Sequence, residues 1–273
     1  MSTHAPEDDR RAELAAFLAW CRDAGLDAAV EETPVDRFAL ADRPPARATE
    51  GRPTPAATAP PPERAAAAVA PAPDADIDPR GARSLDELRA MLERFEGCAL
   101  RRTATQLVFA DGAPTARIVL VGEAPGADED RIGRPFVGRA GQLLDRMLAT
   151  IGLDRTKVYI CNVVPWRPPG NRTPTPQETA LCLPFVTRQI ELVAPEIVIC
   201  LGASSARALL SIEEGILRAR GKWREWRSDR HTARALATLH PAYLLRQPVH
   251  KRLAWRDLRL LRQALAPAPR PDL

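Results

Sequence analysis

The chain reads as an α/β protein: a three-layer α/β/α sandwich around a central, mainly parallel four-stranded sheet, preceded by a disordered Ala/Pro-rich N-terminal segment. Three observations predict this. Four short runs are almost wholly apolar and β-branched, as strands buried on both faces of a parallel sheet must be. Stretches with apolar residues at helical spacing lie between them. The composition also changes abruptly near residue 80.

The first strand is Arg117-Ile-Val-Leu-Val121, and the stripe Leu143, Leu144, Met147, Leu148 and Ile151 predicts a helix over 141–151. Between them lies Gly122-Glu-Ala-Pro-Gly126 with its continuation to Gly141, a loop of glycines and carboxylates with one aromatic, Phe136. It leaves the carboxyl end of its strand, the edge at which open α/β sheets bind ligands. Three further runs repeat the arrangement: Val158-Tyr-Ile-Cys-Asn162, Glu196-Ile-Val-Ile-Cys-Leu-Gly202 leading into Ala203, Ser204 and Ser205, and Ala235-Leu-Ala-Thr-Leu239 leading into His240-Pro241. With parallel strands, Glu123, Asn162, Ser204 and His240 gather on one edge. Thr175-Pro-Gln-Glu178 combines an N-cap, a first-turn proline and a capping-box glutamate, which predicts a helix running to Leu192.

Residues 41–80 contain 23 Ala or Pro among 40 and no aromatic, too many prolines for a lasting helix or sheet. The expected organisation is an amphipathic helix within 1–30 carrying Leu14, Phe17, Leu18 and Cys21, a flexible linker over 31–80 and a catalytic domain over 81–273. The N-terminal helix reads either as a weakly docking surface helix or as a partner-binding module. No apolar run approaches the ~20 residues of a membrane span, and no signal peptide is visible, so a cytoplasmic protein is expected. Residues 1–80 carry a net charge of −6 and the remainder +10. A basic globular part rich in guanidinium groups suits a polyanion, although arginine bias with abundant Ala and Pro also follows from GC-rich coding.

The motifs Gly122-Glu-Ala-Pro-Gly126, Gly133-Arg-Pro-Phe-Val-Gly-Arg-Ala-Gly-Gln-Leu-Leu144, Asn162-Val-Val164, Arg167-Pro-Pro-Gly-Asn-Arg-Thr173 and His240-Pro-Ala-Tyr-Leu-Leu-Arg246 together resemble the family 4 uracil-DNA glycosylases. The resemblance covers about Phe95 to Leu265. It implies that the nucleotide is extruded and its base held in a pocket. Phe136 would then stack on uracil, Asn162 would read it through a carboxamide that both donates and accepts, and His240 would stabilise the departing anionic base. Glu123 would orient water or stabilise a cationic sugar, with Ala124 and Gly126 in the pocket wall and backbone N–H groups of 124–127 at uracil O2. Glu129 and Asp130 would structure the loop. Arg167, Asn171, Arg172, Ser204, Tyr243 and Arg246 would face DNA, with Leu244 or Leu245 as the wedge that fills the vacated space; for Ser204 helix capping is an equal reading.

The family typically holds a [4Fe–4S] cluster on four cysteines, but only Cys98 and Cys182 stand at those positions here. Phe95 and Trp166 occupy the other two. Two thiolates do not supply Cys₄ ligation, so no cofactor is expected. The resemblance implies a monomeric, monofunctional hydrolase that releases uracil from DNA and leaves an abasic site. Excision of another deaminated base such as hypoxanthine, or non-catalytic binding of uracil or abasic DNA, are the alternatives.

Overall fold

A computed structural model of the chain describes residues 77–265. The expected N-terminal helix and all of the expected linker before Ile77 lie outside the described residues.

The four expected strands form as β2 (Ile118–Gly122), β3 (Tyr159–Asn162), β4 (Ile197–Leu201) and β6 (Thr232–Thr238), all parallel to their neighbours in the order β3-β2-β4-β6. The sheet has six strands rather than four. Two antiparallel edges were absent from the sequence reading: β1 (Asp111–Gly112) pairs with β3, and β5 (Trp223–Arg227) pairs with β6. Neither needs a continuous apolar run, because an edge strand is covered on fewer sides. β5 presents the exposed charges Arg224, Glu225 and Arg227, which discourage further strand addition. It buries Trp226, and the Arg234 guanidinium lies 4.1 Å over the Trp223 ring.

Side chains alternate across the sheet and divide the core in two. On one face Val119, Val121, Cys161, Val198, Cys200 and Ala237 meet α1 (Leu85–Arg94), α4 (Pro176–Val193) and α5 (Ala203–Leu210). On the other, Ile118, Leu120, Ile160, Ile199 and Leu236 meet α3 (Arg139–Ala149), α7 (Pro241–Arg246) and α8 (Lys251–Leu265). This is the expected three-layer sandwich. A short α2 (Ala127–Ile132) precedes α3, and α6 (Ile216–Ala219) precedes β5.

The α4 start is as the sequence predicts. Thr175 Oγ1 accepts from the Glu178 amide at 3.1 Å, and Glu178 Oε2 accepts from the Thr175 amide at 2.7 Å. Arg188 on α4 donates to the Ala82 carbonyl at 3.0 and 2.6 Å, and Pro79 and Ala82 are buried. Pro79, two residues ahead of the expected boundary at 81, is therefore part of this packing. Beneath β6, Thr238 Oγ1 donates to Asp257 Oδ2 at 2.6 Å and Arg220 Nε donates to the same oxygen at 2.8 Å, which fixes α8 to the sheet.

Candidate active site

The four parallel strands end on one edge, and the loops that leave them enclose a cavity of about 540 Å³. Glu123 follows β2, Asn162 ends β3, Ser204 lies in the first turn after β4 and His240 follows β6; all four line this cavity, with Ala124, Gly126 and Phe136. The expected convergence is therefore what the sheet produces.

Phe136 and Asn162 meet over a glycine. A Cβ on Gly122 would stand 2.3 Å from Asn162 Oδ1 and 2.7 Å from Phe136 Cζ, so any larger residue at the end of β2 displaces one of them. Both side chains are only 5% exposed. The Phe136 ring faces that of His240, with centroids 5.5 Å apart and planes at 32°. Phe136 also has φ of 55°, a left-handed backbone that a bulky residue keeps only when its surroundings enforce it.

His240 N-caps α7. Its Nδ1 accepts from the Ala242 amide at 3.1 Å, so in the neutral ring the proton resides on Nε2. Burial, aided by the nearby Arg246 charge, pushes its pKa down to about 4. The ring is therefore a neutral donor near pH 7. Glu123 carries the one buried side-chain polar atom among the described residues that lacks a protein partner, Oε1.

Glu129 and Asp130 do structure the loop. Glu129 Oε1 accepts from the Val137 and Gly138 amides, each at 2.9 Å, while Oε2 accepts from the Gly126 amide at 3.1 Å. One carboxylate thus holds the entrances of α2 and α3 together. Buried Asp130 accepts from the Thr105 amide and hydroxyl at 2.9 and 2.8 Å. The expectation of free amides across 124–127 needs correction: Pro125 has no N–H and that of Gly126 is taken by Glu129, which leaves Ala124 and Ala127.

On the rim, Arg167 Nε donates to Asn171 Oδ1 at 2.7 Å, and Asn171 adopts φ of 55°. Arg167 itself stands outside the cavity lining, whereas Asn171, Arg172, Tyr243 and Arg246 belong to it. Arg172 is a less available cation than its sequence position suggests, because both its terminal nitrogens donate to Glu178, at 2.8 and 2.7 Å. The two wedge candidates separate cleanly. Leu244 is 1% exposed and packed in the core below α7, which removes it as a wedge, while Leu245 is 37% exposed. Tyr243 pairs with His250, hydroxyl to Nδ1 at 2.7 Å with the rings 5.5 Å apart. Sequence reasoning did not single out His250, or the closeness of Gly122 to the Asn162 and Phe136 side chains, which come from distant parts of the chain.

The two cysteines of the cluster positions come together in the layer formed by α1 and α4. Cys98 and Cys182 are fully buried, and their hydrogen bond, together with burial, raises the Cys182 pKa. Phe95 and Trp166 stack with centroids 6.4 Å apart, and Phe95 lies 4.9 Å from Phe185. No group of three or more His, Cys, Asp or Glu side chains able to hold a metal occurs among the described residues. Two thiols beside two packed rings do not fit a four-iron cluster.

The model of the uracil DNA glycosylase superfamily matches residues 109–259. A type-4 uracil-DNA glycosylase of Thermotoga maritima is 43% identical over 156 residues, 57% of this chain and 80% of that protein. One from Archaeoglobus fulgidus is 42% identical over 169 residues, 60% of this chain and 85% of that protein. A type-5 uracil-DNA glycosylase of Thermus thermophilus is 36% identical over 116 residues, 37% of this chain and 52% of that protein. Among the described residues, no helix is long and apolar enough to cross a membrane.

Proposed function

Because this chain belongs to the uracil DNA glycosylase superfamily, we propose that its cavity receives an extruded uracil, stacked on Phe136, read by Asn162 and released against His240. The activity is that of a type-4 uracil-DNA glycosylase, a monofunctional hydrolase that removes uracil from DNA in repair. The observation that carries the residue roles is the meeting of a buried carboxamide, an aromatic face and a neutral imidazole donor on one cavity.

Each role follows from the group. The Asn162 carboxamide donates to O4 and accepts from N3–H of uracil, where cytosine presents the opposite pattern. As the bond between C1′ and N1 breaks, its electron pair leaves with the base and spreads over N1 and O2. A neutral Nε2–H on His240 suits donation to that developing charge without titrating. Glu123 Oε1, unpartnered in the protein, suits the water that adds to C1′. One proton of that water ends on the base, so neutral uracil and an abasic sugar remain. The chain has three lysines, Lys157, Lys222 and Lys251, and none lines the cavity, which favours hydrolysis over Schiff-base chemistry.

Leu245, exposed and set between the cavity-lining Tyr243 and Arg246, is the wedge, with Asn171, Ser204 and Arg246 toward the phosphates. The aromatic pair Phe95 and Trp166 takes the place of metal ligation, and the enzyme works without a cluster. Purified protein with stoichiometric iron and charge-transfer absorption would refute this. The protein acts as a cytoplasmic, nucleoid-associated monomer, with residues 81–273 as the catalytic domain, 31–80 as a tether and 1–30 as a contact for another repair protein.

Oligonucleotides bearing uracil, hypoxanthine or thymine, incubated with the full chain and cleaved with alkali at abasic sites, test the activity. Uracil-dependent cleavage is expected in wild type and a large loss in Asn162→Ala and His240→Ala. Near-normal rates in both variants would overturn the residue roles. Faster cleavage at hypoxanthine would replace the substrate, and retained binding without any cleavage would replace the enzyme by a recognition module.

A further inference from the structure

We propose that Arg155 is a positioning residue for the stacking platform, gripping the backbone of Phe136 rather than touching DNA or base. The proposal rests on Phe136 being the platform.

The argument starts from strain. Phe136 holds φ of 55°, in the left-handed region that non-glycine residues avoid. An enforcing contact is therefore required, and the carbonyl of Phe136 has one on each side. From one side the Arg155 guanidinium approaches: NH2 donates to Phe136 O, and NH1 donates to Pro135 O at 3.2 Å. From the other side α3 closes in so tightly that a Cβ on Gly141 would stand 1.6 Å from Phe136 O. The carbonyl is trapped between a cation and a helix turn that only glycine permits.

The guanidinium is itself aimed. Its NH1 donates to Asp111 Oδ2 at 2.6 Å and its Nε to Asp145 Oδ1 at 2.8 Å. Asp111 comes from β1, the two-residue edge strand, and Asp145 from α3. The Arg155 side chain is 24% exposed, and that of Asp111 18%. A planar fork with five donors can serve two carboxylates and two carbonyls at once, which an ammonium cannot do in the same geometry. Strand β1, helix α3 and the turn before β3 are thus joined at one side chain whose remaining hydrogen bonds fix the platform. The Phe136 ring then lies where Gly122 and His240 meet it. Releasing the carbonyl lets φ relax, and the ring leaves that place.

The test is a double-mutant cycle on uracil excision with full-length protein. Arg155→Met is expected to lower kcat/KM by about 10²-fold, the size of loss that misplaced reacting groups produce. In a Phe136→Ala background the same substitution is expected to add almost nothing, because the ring it positions is gone. Gly141→Ala, which pushes the carbonyl from the opposite side, should reproduce the loss and likewise vanish in that background. If Arg155→Met is too unstable to purify, Asp111→Asn unaims the guanidinium more gently and should give a smaller loss with the same dependence on Phe136. Losses that multiply fully in the Phe136→Ala background would overturn the proposal. Labelling with 4-fluorophenylalanine supplies a readout independent of chemistry: the Phe136 resonance should shift in Arg155→Met while that of Phe185 stays. An unchanged Phe136 resonance would also overturn the proposal. Should Phe136→Ala leave excision intact, the platform role fails, and the fluorine spectrum still decides whether Arg155 holds the ring.

Discussion

Asn162 and Trp166 stand four residues apart at the exit of β3, yet one borders an open cavity and the other a sealed aromatic layer. The cavity edge is made of groups held against their preferences: a carboxylate oxygen without a protein partner, a phenylalanine with positive φ, and a histidine whose pKa is driven down to about 4. In the aromatic layer, Phe95, Trp166 and Phe185 pack ring to ring, and Cys98 and Cys182 satisfy each other. Strain and unmet hydrogen bonding persist where function requires them; packing has many solutions. On the proposed reading, that difference explains how rings can stand in for metal ligands here while the cavity a short step away stays intact.

The comparison breaks if the aromatic layer carries chemistry. Trp166→Ala or Phe95→Ala should cost about 3–5 kcal/mol of stability, measured by urea unfolding, with kcat of the folded protein close to wild type. A catalytic loss without a stability loss would erase the distinction between the two regions. At the cavity edge the converse is expected: His240→Ala and Asn162→Ala should lower kcat about 10²–10³-fold, the range for removing one preorganised donor, with little change in melting temperature.

The adjacent leucines of α7 repeat the contrast on a smaller scale. Leu244→Ala should cost about 2–5 kcal/mol of stability. Leu245→Ala should stay within about 0.5 kcal/mol of wild type and slow excision from duplex more than from single-stranded DNA. Equal effects on the two substrates would remove the wedge role.

Acid sharpens the comparison last. The His240 pKa of about 4 lies below its ordinary value of 6.5. The unfolded chain therefore gains a proton that the native ring refuses, and stability drains as pH falls from 6.5 toward 4. Excision should hold until His240 itself protonates near 4, a titration that ring nitrogen chemical shifts can follow. Glu178 behaves in a different window. Arg172 beside it, and its own capping bond to Thr175, hold its pKa down to about 2 against an ordinary 4.5. Its contribution is present above 4.5 and lost as pH falls toward 2. Glu178→Gln keeps a capping-box acceptor but removes the charge paired with Arg172, so it should flatten that part of the stability profile and cost about 0.2–1 kcal/mol above it.

What could be read from sequence was what local chemistry dictates. The apolar runs of β2, β3, β4 and β6 leave little choice but buried parallel strands, and their common direction brings Glu123, Asn162, Ser204 and His240 to one edge. Thr175 and Glu178 announce a helix start because a capping box is a contact between near neighbours. The missed features depend on distant partners or on backbone. Strand β1 is two residues with no pattern, and β5 hides behind its charges. Leu244 and Leu245 are chemically equivalent until the helix phase buries one of them. Gly122 becomes indispensable only once Asn162 and Phe136 close over it, and Arg155 gains its role from Asp111, 44 residues earlier in the chain.

On the proposed roles, the base-reading amide and the stacking ring are carried by different kinds of support. Asn162 sits on a strand paired through β2 to the rest of the sheet, whereas Phe136 hangs in a loop between two helix entrances closed by Glu129. The two can therefore change at different rates. Loop substitutions can reshape the platform and the range of bases it admits without moving the amide that tells uracil from cytosine. On that reading, the range of bases admitted is the adjustable property of this pocket, and the distinction of uracil from cytosine is the one its sheet holds fixed.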